Sequence, residues 1–267
     1  MAIDGVHFSN SAFGFIKKMN EQQPVFVTGV VLPAIEISEL LYSFGGMTGP
    51  VSWPYITEEE EAGAIVAVAS FKALCEANNI AYSIHNAPVS NVVTVLKTET
   101  RFADLLVLDS SLFYANLGTD RQHEYLMHLL HHAECPVVLV PGEVKLPETL
   151  VFAFDGSASS AYALKQFSYL FPYFNDLKTV IVHASIENEV PNLDKIKELG
   201  GHQYKNLSLY QLEAEPRKYF ESWLIDNKNP MVIAGAYSRS FISGLMKKSF
   251  VDEIIQDHNI PVFIAHR

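Results

Sequence analysis

The chain has 267 residues and a formal net charge of -11 at pH 7, with 49% hydrophobic and 18% charged residues. This is the composition of a globular protein with length enough for two domains, and it excludes a disordered chain. The acidic balance, with no long basic run, excludes a general nucleic-acid binder, and no apolar run reaches the length of a membrane span.

The predicted elements run in chain order as strands alternating with helices. In the first half, a short strand ends at Ala2–Ile3–Asp4–Gly5 and a helical pattern covers Ser11–Asn20. A second strand follows at Val25–Leu32, a helix at Glu59–Asn78 and a third strand at Ile80–His85. A helix over Val92–Phe102, a fourth strand at Asp104–Asp109, a helix over Arg121–His132 and a fifth strand at Cys135–Val140 complete the half. Between the second strand and its helix lies the stretch 33–61, rich in Gly and Pro and ending in four glutamates. A long loop of this kind is functional or mobile, and the glutamates Glu58–Glu61 are expected to open the helix, where negative charge suits the dipole.

After a linker around Pro141–Glu148, the second half repeats the order. Its first strand ends at Ala153–Phe154–Asp155–Gly156–Ser157, and strands follow at Thr179–Ser185, Leu207–Leu212, Asn229–Gly235 and Ile260–Ala265. Helical patterns cover Ser159–Phe171, Asp194–Lys205, Glu215–Asn227 and Leu245–His258. Asp4 and Asp155 stand 151 positions apart but Pro136 and Pro261 only 125, so the first half carries 26 extra residues, within 33–61. Nearly all-apolar strands alternating with helices predict an α/β protein with parallel sheets covered on both faces.

The stretch after the fourth strand of the second half carries the chemistry. Gly235 stands where a strand must turn and let another group approach the backbone. Ser238, Arg239, Ser240, Lys248 and Ser249 follow, close to a helix start. Free amides, the positive end of a helix and cationic side chains together hold a phosphate group. The same residues also suit an ordinary strand–loop–helix connection with a solvated basic patch.

With Asp155–Gly156–Ser157, the loop from Gly235 to Ser249 and the closing strand Ile260–Pro261–Val262–Phe263–Ile264, the chain resembles the universal stress protein family, as a tandem of two domains. The resemblance implies two Rossmann-like or flavodoxin-like α/β sandwiches, at 1–143 and 146–267. Each would have a five-stranded parallel sheet of order 3-2-1-4-5, and the two would form an intramolecular pseudo-dimer through antiparallel pairing of the fifth strands. The family's nucleotide-binding branch carries G-x-x-G, nine residues, then G-S or G-T. Here Gly235 is kept, Ser238 and Lys248 replace the other two glycines, and Ser249 keeps the hydroxyl. By resemblance, Asp155 lies near the nucleoside and the end of the second strand, Val182–His183–Ala184, meets adenine through its backbone.

The function so implied is a cytoplasmic stress-response protein that binds ATP, ADP or AMP, with magnesium as an accompanying ion, in its second half. It would act through association with a protein partner, not through catalysis, as a monomeric pseudo-dimer or a homodimer. A nucleotide-free interaction protein is the alternative. In the first half Gly235 is answered by Asp109 and Lys248–Ser249 by Gln122–His123, so that half is expected not to hold a polyphosphate. His128 and His132 share a helix face with Glu124, but their spacing to His123 is not the zinc-protease pattern, and a solvated face is expected. Asp155, Ser157 and His183 could suggest a hydrolytic triad, yet nothing in their spacing sets a nucleophile on a base. Cys75 and Cys135 have no ligand spacing and read as buried thiols of a reducing compartment.

Overall fold

The computed structural model describes residues 1–4, 8–32, 58–86, 92–110, 130, 132–142, 145–184, 192–212, 224, 227–235 and 260–265. The predicted helix over Leu245–His258, nearly all of those over Arg121–His132 and Glu215–Asn227, and most of the inserted stretch lie outside these residues. The chain divides into two compact units, Met1–Glu134 and Cys135–Arg267.

In the first unit, β1 (Ala2–Asp4), β2 (Phe26–Leu32) and β3 (Ala81–Asn86) form a parallel sheet in that order. Ala2 pairs with Val30, and Phe26 with Ala81. The helices are α1 (Asn10–Gln22), α2 (Glu58–Ala77) and α3 (Val92–Arg101), and β4 covers Leu106–Asp109. α1 starts one residue before the apolar pattern, because Ser9 caps it: its hydroxyl accepts from the Ala12 N–H at 3.0 Å. The four glutamates do open a helix, so the last part of the inserted stretch is the first turn of α2. Phe71 of α2, fully buried, packs edge-on to Phe13 of α1 and to Tyr82 of β3. β1 has three residues, and among the described residues its ladder runs through β2 to β3.

The second unit contains β5 (Val137–Val140), β6 (Thr149–Ala153), α4 (Ala158–Leu170), β7 (Lys178–Ala184) and α5 (Leu193–Gln203). β8 (Asn206–Leu212), β9 (Pro230–Gly235) and β10 (Val262–Ala265) complete its strands. Within this unit the strands lie in the order β8-β7-β6-β9-β10, all parallel, which is the expected 3-2-1-4-5. β5 joins the far side of β10 antiparallel, with Phe263 opposite Val138. That pairing covers an apolar edge that would otherwise be open to another chain. The strand after Glu134 belongs to the second unit.

The core of this unit is aromatic. Phe167 of α4 is 0% exposed and meets Phe152 of β6 at 5.9 Å and Phe263 of β10 at 5.2 Å, both edge-on. Phe171 and Phe174 close the cluster, and Tyr204 donates its hydroxyl to the Leu164 carbonyl at 3.1 Å. One side chain thus joins the helix to a strand on each side of β9. Phe167→Ala should lower stability by about 3–5 kcal/mol, read from denaturant unfolding of the full chain. A loss under about 1 kcal/mol would mean that the cluster rearranges freely around the vacancy.

Cys75, fully buried, has its thiol pushed up to about 11, first by burial and then by the neighbouring Glu76 charge. Cys135 is buried as well. At pH 8 neither should react with an aromatic disulfide reagent until the chain is denatured, when both should. Rapid labelling of the native protein would contradict this packing.

Candidate functional site

The site is built where β6 gives way to α4. After Phe154 and Asp155 the chain must turn at once into a helix, and Gly156 makes the turn with φ 78°, a conformation that strains any residue with a side chain. The turn is tied in two places. The Ser157 N–H donates to Asp155 Oδ1 at 2.9 Å, and the Ser157 hydroxyl accepts from the Ser160 N–H at 3.1 Å as the cap of α4. Asp155 therefore stands beside the positive end of the helix, with its carboxylate already holding the turn.

β6 is flanked by β7 on one side and β9 on the other, so the strand order reverses beside it. In open α/β sheets the crevice for a ligand lies at such a point, outside the carboxyl ends of the strands. Asp155, Gly156, Ser157, His183 and Gly235 all lie at those ends. Ala184 is the last residue of β7. Ser238, Arg239, Ser240, Lys248 and Ser249 lie outside the described residues.

What approaches Gly235 is the first turn of α4. A Cβ on Gly235 would stand 2.4 Å from the Ser159 carbonyl carbon and 2.4 Å from the Ser160 nitrogen. Those are backbone atoms of a helix, so no side-chain rotation relieves the clash. The glycine thus has a structural duty that its place in a phosphate-type loop did not reveal.

His183 is buried, 4% exposed, at the carboxyl end of β7. Its Nδ1 lies 2.7 Å from the Phe154 carbonyl oxygen, and its ring stands 6.4 Å from the Phe154 ring. A carbonyl only accepts, so Nδ1–H donates. Nε2 is buried with no hydrogen-bond partner among the described residues. The triad reading gains nothing from this arrangement: Ser157 caps a helix, His183 serves the Phe154 carbonyl, and no described hydrogen bond joins them. No group of three or more His, Cys, Asp or Glu could hold a metal among the described residues.

In the first unit the corresponding junction is made differently. Asp109, 5% exposed at the end of β4, accepts from the Ser9 hydroxyl at 2.5 Å and the Ser11 hydroxyl at 2.6 Å. Its carboxylate fills the gap between strand end and helix start and supplies the anion that the start of α1 favours. The sequence offered a sign of this in Ser9–Asn10–Ser11 at a helix start, but the partner lies about a hundred residues away.

The fold is similar to that of a universal stress protein from Archaeoglobus fulgidus DSM 4304, at a TM-score of 0.63 and 13% identity, covering 100% of this chain and 96% of that one. Protein Rv1636 from Mycobacterium tuberculosis H37Rv aligns over 44% of this chain and 94% of its own length, at 19% identity and a TM-score of 0.32. No family model matches the chain, and no curated protein matches it. The chain therefore has the α/β, Rossmann-like fold seen in the Archaeoglobus universal stress protein. No helix among the described residues is long and apolar enough to cross a membrane.

Two substitutions separate the duties of the junctions. Gly235→Ala should cost about 1–3 kcal/mol or more, because α4 must move off the strand. Unchanged thermal stability would show an open site with no helix against it. Asp109→Ala should cost about 1–3 kcal/mol by leaving two hydroxyls without their acceptor. Thermal melts of each variant against the parent check both.

Proposed function

We propose that the chain is a cytoplasmic stress-response protein of the universal stress protein type, tandem in organisation, that binds one adenine nucleotide in its second unit. The observation that supports this best is the junction at β6. Asp155, the Gly156 turn, the cap of α4 and the buried ring of His183 meet at the carboxyl ends of strands whose order reverses there. ATP, ADP or AMP, with magnesium accompanying the phosphates, fits the charge pattern that the following sequence offers. Arg239 and Lys248 supply cations, and Ser238, Ser240 and Ser249 supply hydroxyl donors. The function is binding and association with a protein partner, not turnover.

The stoichiometry of one follows from the first unit. There the strand end carries the Asp109 carboxylate, held by two hydroxyls at the helix start. A polyphosphate would meet a fixed negative charge where it needs donors. The likeness to the Archaeoglobus protein, which spans nearly all of both chains, supports the stress-protein reading at the level of fold.

Calorimetric titration of the full chain with ATP and magnesium tests the proposal. One nucleotide per chain is expected. Lys248→Glu should weaken binding by tenfold to a hundredfold or more, since a charge-assisted contact is worth about 1.5–3 kcal/mol and its reversal adds repulsion. Two nucleotides per chain would overturn the asymmetry. No heat, together with no nucleotide released from the purified protein on denaturation, would favour a nucleotide-free interaction protein.

A further inference from the structure

We propose that the His183 side chain reads the purine in this site: its Nε2 accepts a hydrogen bond from the exocyclic amino group of a 6-aminopurine and so selects adenine over 6-oxopurines. The inference rests on the nucleotide reading above and goes beyond it, because there the end of β7 contributes only backbone.

The argument begins with a tautomer. Nδ1 lies 2.7 Å from the Phe154 carbonyl oxygen, which has no proton to give, so the Nδ1 proton occupies that bond. In the neutral ring the lone pair then belongs to Nε2, on the ring edge away from the β7 backbone. That atom is buried in a side chain 4% exposed, and it has no donor among the described residues. Buried polar atoms in native proteins are almost always paired, and an orphan calls for a partner that the described residues do not supply. An imidazole acceptor asks for an N–H or O–H donor. Of the common purines, adenine presents an amino group at the six position, whereas guanine and hypoxanthine present a carbonyl there, an acceptor facing an acceptor.

Position separates this orphan from the others. Tyr173 Oη and Asn175 Oδ1 are also buried without partners, but they lie in the turn that leads into β7, at its amino end. Nε2 of His183 lies at the carboxyl end, one strand from the Asp155 turn, on the side of the sheet where ligands of open α/β folds bind. Among the described residues, the first unit has no such acceptor. Ala2 pairs with Val30 as Ala153 pairs with Val182, so His183 is answered by Val31, a buried apolar residue. Among the described residues, the polar reader is therefore found in the unit that keeps Gly235.

The test uses the full chain, ATP and inosine triphosphate, which differ at the six position of the base. Calorimetry should give ATP a tenfold to a hundredfold advantage, the usual consequence of leaving a buried acceptor unpaired. His183→Phe, which keeps a flat ring but no acceptor, should erase that gap, and His183→Gln, which restores an acceptor, should recover part of it. Nitrogen-15 NMR of the parent protein gives a readout that needs no variant to fold. Nδ1 should carry the proton before ligand is added, and the Nε2 resonance should move with ATP and stay in place with inosine triphosphate. Equal affinity for the two nucleotides, a gap that survives in His183→Phe, or an Nε2 that carries the proton in the free protein would overturn the proposal while leaving nucleotide binding intact. Binding of neither nucleotide would instead overturn the reading on which it rests.

Discussion

The contact on which the second unit depends is backbone against backbone: the first turn of α4 pressed onto the end of β9 at Gly235. A methyl group at that glycine would lie 2.4 Å from backbone atoms of Ser159 and Ser160, far inside van der Waals contact, so the strand must end in the one residue without a Cβ. The contact fixes the height at which α4 begins. That height leaves no slack between β6 and the helix, which is why the connection is a single left-handed glycine with a capping serine behind it. Asp155 is placed by the same economy, its carboxylate holding the Ser157 N–H within the turn. The Phe154 carbonyl, one residue earlier, then orients His183 from the neighbouring strand. A chain of local constraints thus runs from one missing side chain to the edge of the crevice.

The first unit shows what the same junction becomes when that side chain is present. Asp109 cannot let α1 lean on the strand with its backbone, and the helix start is held instead through hydroxyl-to-carboxylate bonds from Ser9 and Ser11. Three polar groups that would each be costly to bury alone satisfy one another. The positive end of α1 is met by an internal anion. The two junctions differ in what terminates the strand: Asp109 in the first unit, Gly235 in the second.

Much of this fold was legible because its strands are short, apolar and separated by helical patterns of ordinary length. β9 and β10 were readable from their apolar runs alone, and the antiparallel partner of β10 followed from the exposed edge that β10 would otherwise present. Helix starts were less legible, since Ser9 caps α1 ahead of its apolar periodicity. β1 has three residues, and residue patterns do not show how far pairing spreads from a strand so short. At the site, Gly156 and Gly235 were visible as glycines, but the meaning of Gly235 lies in the atoms facing it, which belong to a helix some 75 residues away. The orphaned nitrogen of His183 was invisible for the same reason. Which nitrogen carries the proton is decided by a carbonyl 29 residues earlier, and no periodicity records that.

This difference in satisfaction separates the halves more sharply than net charge does. In the first unit the polar groups at the junction close on one another: Ser9 gives its proton to Asp109 and takes one from Ala12, and Val31 leaves nothing to pair at the end of β2. In the second unit the turn is equally well tied, yet a buried acceptor remains open beside it. A closed network adds stability and has no use for a ligand, whereas an open buried acceptor loses stability until a donor arrives. On the proposal that a ligand supplies the donor, binding would recover that loss in addition to its own contacts, and binding and folding stability would be coupled at this ring. The second unit thus gives up a little stability at His183, whereas the described polar groups at the first unit's junction are satisfied within the chain.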